Sequence, residues 1–216
     1  MKQDTLTRLE PYKYYHIYNQ GNNQCNIFYN DGNYEYFLKK YSSYLLPYID
    51  TFCYCLLPNH FHFLINIKSP TIIIENHIKS LNGNTFPALQ TYLEKDKLAS
   101  EIVSDMFRRF FMSYSKAFNK QHKQSGSLFR KNFKRKEILN EQHLKQIVYY
   151  IHRNPWHHGI CDDFVKYKWS SYSKIIKKEN DLLNTNQCID IFDNEENFIF
   201  YHKQRIEIDE TLEISE

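Results

Sequence analysis

The chain predicts an α+β fold, a mostly antiparallel sheet with helices packed on it, and three observations carry that expectation. Strand-like and helix-like patterns follow one another as strand, helix, strand, strand, helix, strand, helix between Tyr12 and Arg153. Aromatic residues make up 17% of the chain, with 18 Tyr and 16 Phe, which suits a sheet-rich core. Breakers at Gln20-Gly21-Asn22-Asn23, Pro47, Pro58-Asn59 and Asn154-Pro155 divide the patterns from one another. This order fits a split βαβ, or ferredoxin-like, arrangement.

Each element has its own warrant. Tyr12 to Asn19 is rich in β-formers and reads as the first strand. Asp31 is a plausible cap for a helix from Tyr34 to Leu46, in which Tyr34, Phe37, Leu38, Tyr41 and Leu45 keep helical spacing and Pro47 ends the run. Ile49 to Leu57 and Phe61 to Ile67 read as two strands joined at Pro58-Asn59, or as one long strand interrupted there. Residues 69–100 match no single element and are expected to be an irregular or partly helical insertion. Asp105 can cap a helix to about Asn119, with Phe107, Phe110, Phe111, Tyr114 and Phe118 on its aromatic face. A loop over 121–127 leads to a short basic strand around Phe133 to Ile138. A last core helix runs from about Glu141 to Arg153, halted by Asn154-Pro155. Beyond Trp169 a short helix gives way to a polar, acid-rich tail, so the expected division is a main domain over 1–180 and an acidic extension over 181–216.

Composition removes several classes. Five Gly and six Pro argue against a glycine-loop nucleotide enzyme, and neither a phosphate-loop nor a dinucleotide fingerprint is present. The cysteines, Cys25, Cys53, Cys55, Cys161 and Cys188, are odd in number and irregular in spacing, and a reduced, cytoplasmic setting is expected. Cys53 and Cys55 read as small buried strand residues. No stretch approaches 18 uninterrupted apolar residues, so no membrane partner is expected.

Charge is unevenly spread, although the net value is only +3. From Met106 to Lys136 there are ten Lys or Arg and no acid, while Ile189 to Glu216 holds nine acids against Lys203 and Arg205. A basic stretch interleaved with aromatics is the footprint of a polyanion partner, although a solvated helix face would also carry it. The acidic tail reads as a solvated or docking segment.

The candidate site begins with Pro58-Asn59-His60-Phe61-His62-Phe63-Leu64-Ile65. On a strand His60 and His62 share one face and Phe61, Phe63, Ile65 and Ile67 the other, with same-face neighbours about 6.5 to 7 Å apart. Two imidazoles at that spacing can reach one divalent ion, but the pair alone could equally be zinc chemistry or packing. In the helix from Glu141, Leu144, Ile147, Val148 and Ile151 mark the buried stripe. Tyr150 and Asn154 are i, i+4 partners roughly 90° round from it, on the expected border between core and solvent. Asn154 can add a carbonyl oxygen to a His-His-Asn site, and Tyr150 a phenol able to attack phosphorus. Taken singly each has a plain alternative: the chain has 18 tyrosines, and Asn before Pro is a good helix terminator.

Four passages, in order, resemble a known family. They are Tyr15-His16-Ile17-Tyr18-Asn19-Gln20-Gly21-Asn22-Asn23; Cys55-Leu56-Leu57 running into Pro58 to Ile65; Phe118-Asn119 with Ser125-Gly126-Ser127-Leu128-Phe129-Arg130; and Val148-Tyr149-Tyr150-Ile151-His152-Arg153-Asn154-Pro155 followed by Trp169-Ser170-Ser171-Tyr172. Together they span about residues 12 to 172 and resemble the single-tyrosine HUH transposases, in particular the REP-associated tyrosine transposase branch. The resemblance implies an HUH endonuclease-type fold, with His60, His62 and Asn154 holding Mg²⁺ or Mn²⁺ and Tyr150 as nucleophile. It further implies single-stranded or hairpin DNA as partner and a 5′-phosphotyrosine intermediate. Tyr149 is a rival only if the register is off by one, and Tyr114 reads as packing or DNA contact. Arg130, Lys131, Lys134 and Arg135 are the candidates for DNA backbone contacts. Relatives of both habits, monomer and homodimer, are implied. A non-catalytic hairpin-binding protein and a zinc hydrolase or RNA-processing enzyme are the competing classes, the latter lacking a carboxylate near the histidines.

Overall fold

The computed structural model describes residues 7–81, 92–179, 181–204 and 206. Four strands, β1 (Tyr14–Gln20), β2 (Ile49–Leu57), β3 (His60–Ile67) and β4 (Lys134–Ile138), form one sheet in the order β2-β3-β1-β4 with every neighbouring pair antiparallel. Helix α1 (Asp31–Leu45) crosses from β1 to β2, and α3 (Tyr92–His122) precedes β4, which gives the ferredoxin-like order the sequence predicts. The two-strand reading of 49–67 holds. Leu57 pairs with His60 directly, so Pro58-Asn59 is the whole turn of a tight hairpin.

One face of the sheet carries the aromatic core. Phe61 and Phe63 of β3 pack against Phe37 and Tyr41 of α1, and Phe61 meets Phe111 of α3. The other face carries α4 (Glu141–His157), capped at its start by the Asn140 side chain, which accepts from the His143 amide. Helix α4 outruns its expected end. Pro155 lies in its last turn, where it gives up one helical bond, to the Ile151 carbonyl, without ending the helix, and Gly159 at a φ of +63° closes it.

Three further expectations need correcting. Asn30, not Asp31, caps α1, its side chain accepting from the Asn33 amide. Asp105 caps nothing. It lies inside the 31-residue α3 and pairs with Arg108 and Arg109, both at 2.6 Å, as i, i+3 and i, i+4 partners do. Of the predicted insertion, α2 (Pro70–Ser80) and the first turns of α3 are regular helix, and 82–91 lie outside the described residues. The described part of the extension holds α6 (Thr185–Asp190) and α7 (Glu195–Lys203), after the short α5 (Tyr172–Ile176). Leu183, Cys188, Phe192 and Phe198 join the main core, and Cys53 and Cys55 are buried and free. Among the described residues no helix is long and apolar enough to cross a membrane.

Candidate active site

Strand alternation turns His60 and His62 toward α4, and i, i+4 spacing turns Tyr150 and Asn154 back toward them. His60 Nε2 lies 3.1 Å from Asn154 Oδ1, and the Tyr150 ring stands edge-on to His62 with centroids 5.4 Å apart. The two histidine rings are 5.2 Å apart and nearly perpendicular. Tyr150 and Asn154 are not at the border of core and solvent as expected; they are 3% and 0% exposed, because the face they occupy is the face that covers the histidines.

The loops at this end of the sheet are tied to the hairpin turn. The Gly21 amide donates to the Asn59 carbonyl at 2.8 Å, and the Ile27 and Phe28 amides both donate to the Pro58 carbonyl. Gly21 sits so close to the chain ahead that a Cβ there would collide with the Cys25 carbonyl oxygen. The Asn59 side chain adds a 2.6 Å contact to His60 Nδ1. A neutral imidazole has one N–H, so donation from Nδ1 to Asn59 leaves a lone pair on Nε2, facing Asn154.

The site gathers several buried polar atoms that lack partners among the described residues. His62 Nε2, His16 Nδ1 and Asn154 Nδ2 are buried with no hydrogen-bond partner among the described residues. Either orientation of the Asn154 amide leaves one of its polar atoms unpaired. Burial, reinforced by the neighbouring histidines, holds His62 well below the ordinary imidazole range, and burial and His158 lower His60 to about 4. Both rings are therefore neutral near pH 7, the state in which imidazole binds a metal. Among the described residues no three His, Cys, Asp or Glu side chains converge on a metal position. A site here therefore depends on the amide oxygen of Asn154 as third donor. Two imidazole lone pairs and one amide oxygen suit a divalent ion such as Mn²⁺.

The other candidates divide. Tyr149 faces away from the histidines, its phenol donating to the Gln204 carbonyl at 2.9 Å. Tyr114 is a core residue, 1% exposed, bonded to the Ile27 carbonyl. Lys134 pairs in register with Tyr18, which shares the histidines' face, and is exposed. Arg130, Lys131 and Arg135 instead line a groove of about 720 Å³ on the α3 side, floored by Phe111, Phe129 and Phe133. The Arg135 guanidinium lies 4.3 Å from the Phe133 ring centroid. The four basic residues thus fall on two sides of the edge strand β4. His16 belongs to the β1 motif but is not singled out by sequence reasoning, and it touches His62 at 2.8 Å. Its signal is present all the same: one histidine among aromatic strand residues, on the face that alternation assigns to Tyr14 and Tyr18.

No protein-family model matches this chain, and no curated protein matches it. A solved structure does. It is described as "Structure of the REP associates tyrosine transposase bound to a REP hairpin". The match has a TM-score of 0.53 and covers 86% of this chain and 90% of that one, at 13% identity. At that identity the likeness shows the fold alone, an α+β arrangement with a four-stranded antiparallel sheet and helices packed on it.

Proposed function

We propose that this chain is a metal-dependent tyrosine transposase, a site-specific single-strand DNA endonuclease and strand transferase acting on hairpin-bearing DNA. One observation carries the reading: Tyr150, His60, His62 and Asn154 meet on one sheet face, with His62 Nε2 and Asn154 Nδ2 buried and without partners among the described residues. A hairpin as partner is supported by the REP hairpin bound to the structural neighbour and by the basic groups on both sides of β4.

His60, His62 and Asn154 would hold the ion, which supplies charge stabilisation to the scissile phosphate when bound. Tyr150 Oη forms a bond to phosphorus as the bond from phosphorus to the 3′-oxygen breaks. The phenolic proton leaves to water and the departing 3′-oxygen takes one up. The product is a 5′-phosphotyrosine and a free 3′-hydroxyl, and attack by a hydroxyl of another strand reverses the step without an external energy source. Lys134 and the groove residues Arg130 and Lys131 carry the strand across β4 by contacts to its phosphates.

The test is incubation of the full chain with labelled hairpin-bearing single-stranded DNA and Mn²⁺. A denaturant-resistant adduct is expected for wild type and for Tyr149→Phe, and none for Tyr150→Phe. No adduct with wild type, or an adduct with Tyr150→Phe, overturns the reading. The 3% exposure of Tyr150 favours a second reading, a hairpin-binding protein without cleavage, and salt-dependent binding with no adduct is its signature.

A further inference from the structure

We propose that His16 is a positioning residue for His62, fixing the tautomer in which His62 can ligate a cation; the inference rests on the metal-site reading above. His16 lies on β1, fully buried, two residues along from Tyr18, the residue opposite His62. Its Nε2 is 2.8 Å from His62 Nδ1, with the rings inclined by only 18° and their centroids 5.1 Å apart. Centroids so much farther apart than the touching nitrogens put the rings edge to edge, which is the geometry of an in-plane N–H···N bond.

That contact holds one proton, and its position decides what His62 can do. With the proton on His16 Nε2, a neutral His62 carries its own on Nε2 and that atom cannot ligate. With the proton on His62 Nδ1, His16 is the acceptor and the buried, unpartnered Nε2 of His62 has a free lone pair. The two histidines of the pair are then held by matching devices. Asn59 takes the Nδ1 proton of His60, and His16 takes the Nδ1 proton of His62. In both rings Nε2 is the atom left for the ion. His16 itself touches neither the ion nor the substrate in this scheme.

Two substitutions separate hydrogen bonding from packing. Phe in place of His16 keeps a flat ring beside His62 but offers no acceptor, whereas Gln puts an amide oxygen near the position of the lost Nε2. Mn²⁺ titration of the full chain, followed by electron paramagnetic resonance, should show His16→Phe binding about 10- to 100-fold more weakly. His16→Gln should stay close to wild type. Imidazole ¹⁵N shifts of wild type with Mg²⁺ should show the His62 proton on Nδ1. If wild type binds Mn²⁺ and His16→Phe matches it, the inference falls alone. It also falls if His16→Gln is as weak as His16→Phe, or if the His62 proton is on Nε2. A wild type that takes up no Mn²⁺ overturns the metal reading and this inference with it.

Discussion

Two buried histidine clusters flank helix α4, and they are built on opposite principles. Behind the helix, His152 and His202 form a closed chain. The Tyr54 amide donates to Ser171 Oγ, whose hydroxyl donates to His152 Nε2; His152 Nδ1 donates to His202 Nε2, and His202 Nδ1 donates to the Phe198 carbonyl. Every ring nitrogen is used, and each bond is 2.7 to 2.9 Å long. In front of the helix, His16, His62 and the Asn154 amide leave polar atoms without partners among the described residues. A core built only for stability satisfies its polar groups, because each buried orphan costs about 1–3 kcal/mol. The closed chain therefore reads as a fastener that ties α7 to α4 and β2, and the open cluster as a place prepared for something else.

The comparison breaks first on stability. Replacing His152 by Phe strands both the Ser171 hydroxyl and His202 Nε2 in the core, and should lower the unfolding free energy by about 4 kcal/mol. His62→Phe strands only His16 Nε2 and should cost about 1 kcal/mol while abolishing Mn²⁺ uptake. Denaturant unfolding of both variants checks this. Equal losses would mean that the front cluster is as much a fastener as the rear one.

Proton linkage gives the next largest effect. Burial, with Arg153 adding to it, lowers His202 from 6.5 to about 4. Protonating it would place a proton on Nε2, the atom that already accepts from His152. As pH falls below 6.5 the unfolded chain binds this proton and the folded chain does not. The stability from a neutral His202 is thus complete above pH 6.5 and lost progressively down to about pH 4. The loss is on the order of 3 kcal/mol for this one group. Unfolding measured at steps across that window should show it, and His202→Gln should flatten the slope. A slope unchanged in the variant would remove the closed chain as the cause.

How much of this could be read from the sequence depended on how local the cause was. The hairpin at Pro58-Asn59, the stripe Leu144, Ile147, Val148 and Ile151, and the facing of His60 and His62 follow from period and turn chemistry, and all three appear in the structure. The ferredoxin-like class also matched expectation, although the order β2-β3-β1-β4 sets β1 beside strands far from it in sequence, which no turn signal announces. Asp105 misled because an acid before an aromatic run is as good an i, i+3 partner for arginine as it is a cap, and the helical spacing of Ala99, Ile102, Val103 and Met106 that runs through it was not read. The end of α4 was misplaced because the helix tolerates the one bond Pro155 cannot make to the Ile151 carbonyl and runs on to His157. His16, His152 and His202 stayed unassigned for another reason. Their partners are 46, 19 and 50 residues away, and no local pattern announces a bond across that distance.

The smallest expected effect tests the front cluster at its rim. Asn59 is only half-buried, in the hairpin turn, and its side chain touches His60 Nδ1 at 2.6 Å. Removing it in Asn59→Ala leaves the turn's backbone bonds to Gly21, Ile27 and Phe28 in place, and water can reach the freed Nδ1. Stability should therefore change by no more than about 0.5 kcal/mol. What changes is the tautomer: without an acceptor on Nδ1, the proton can sit on Nε2 and face Asn154 Oδ1, where it is well satisfied. That state competes with the ion for the same lone pair, so Mn²⁺ affinity should fall by about 10-fold, the lower end of what losing an outer partner costs. A calorimetric titration reads the affinity and a thermal melt reads the stability. Loss of stability with unchanged affinity would make Asn59 a turn residue and nothing more, and would leave Nε2 of His60 chosen by something other than its neighbour.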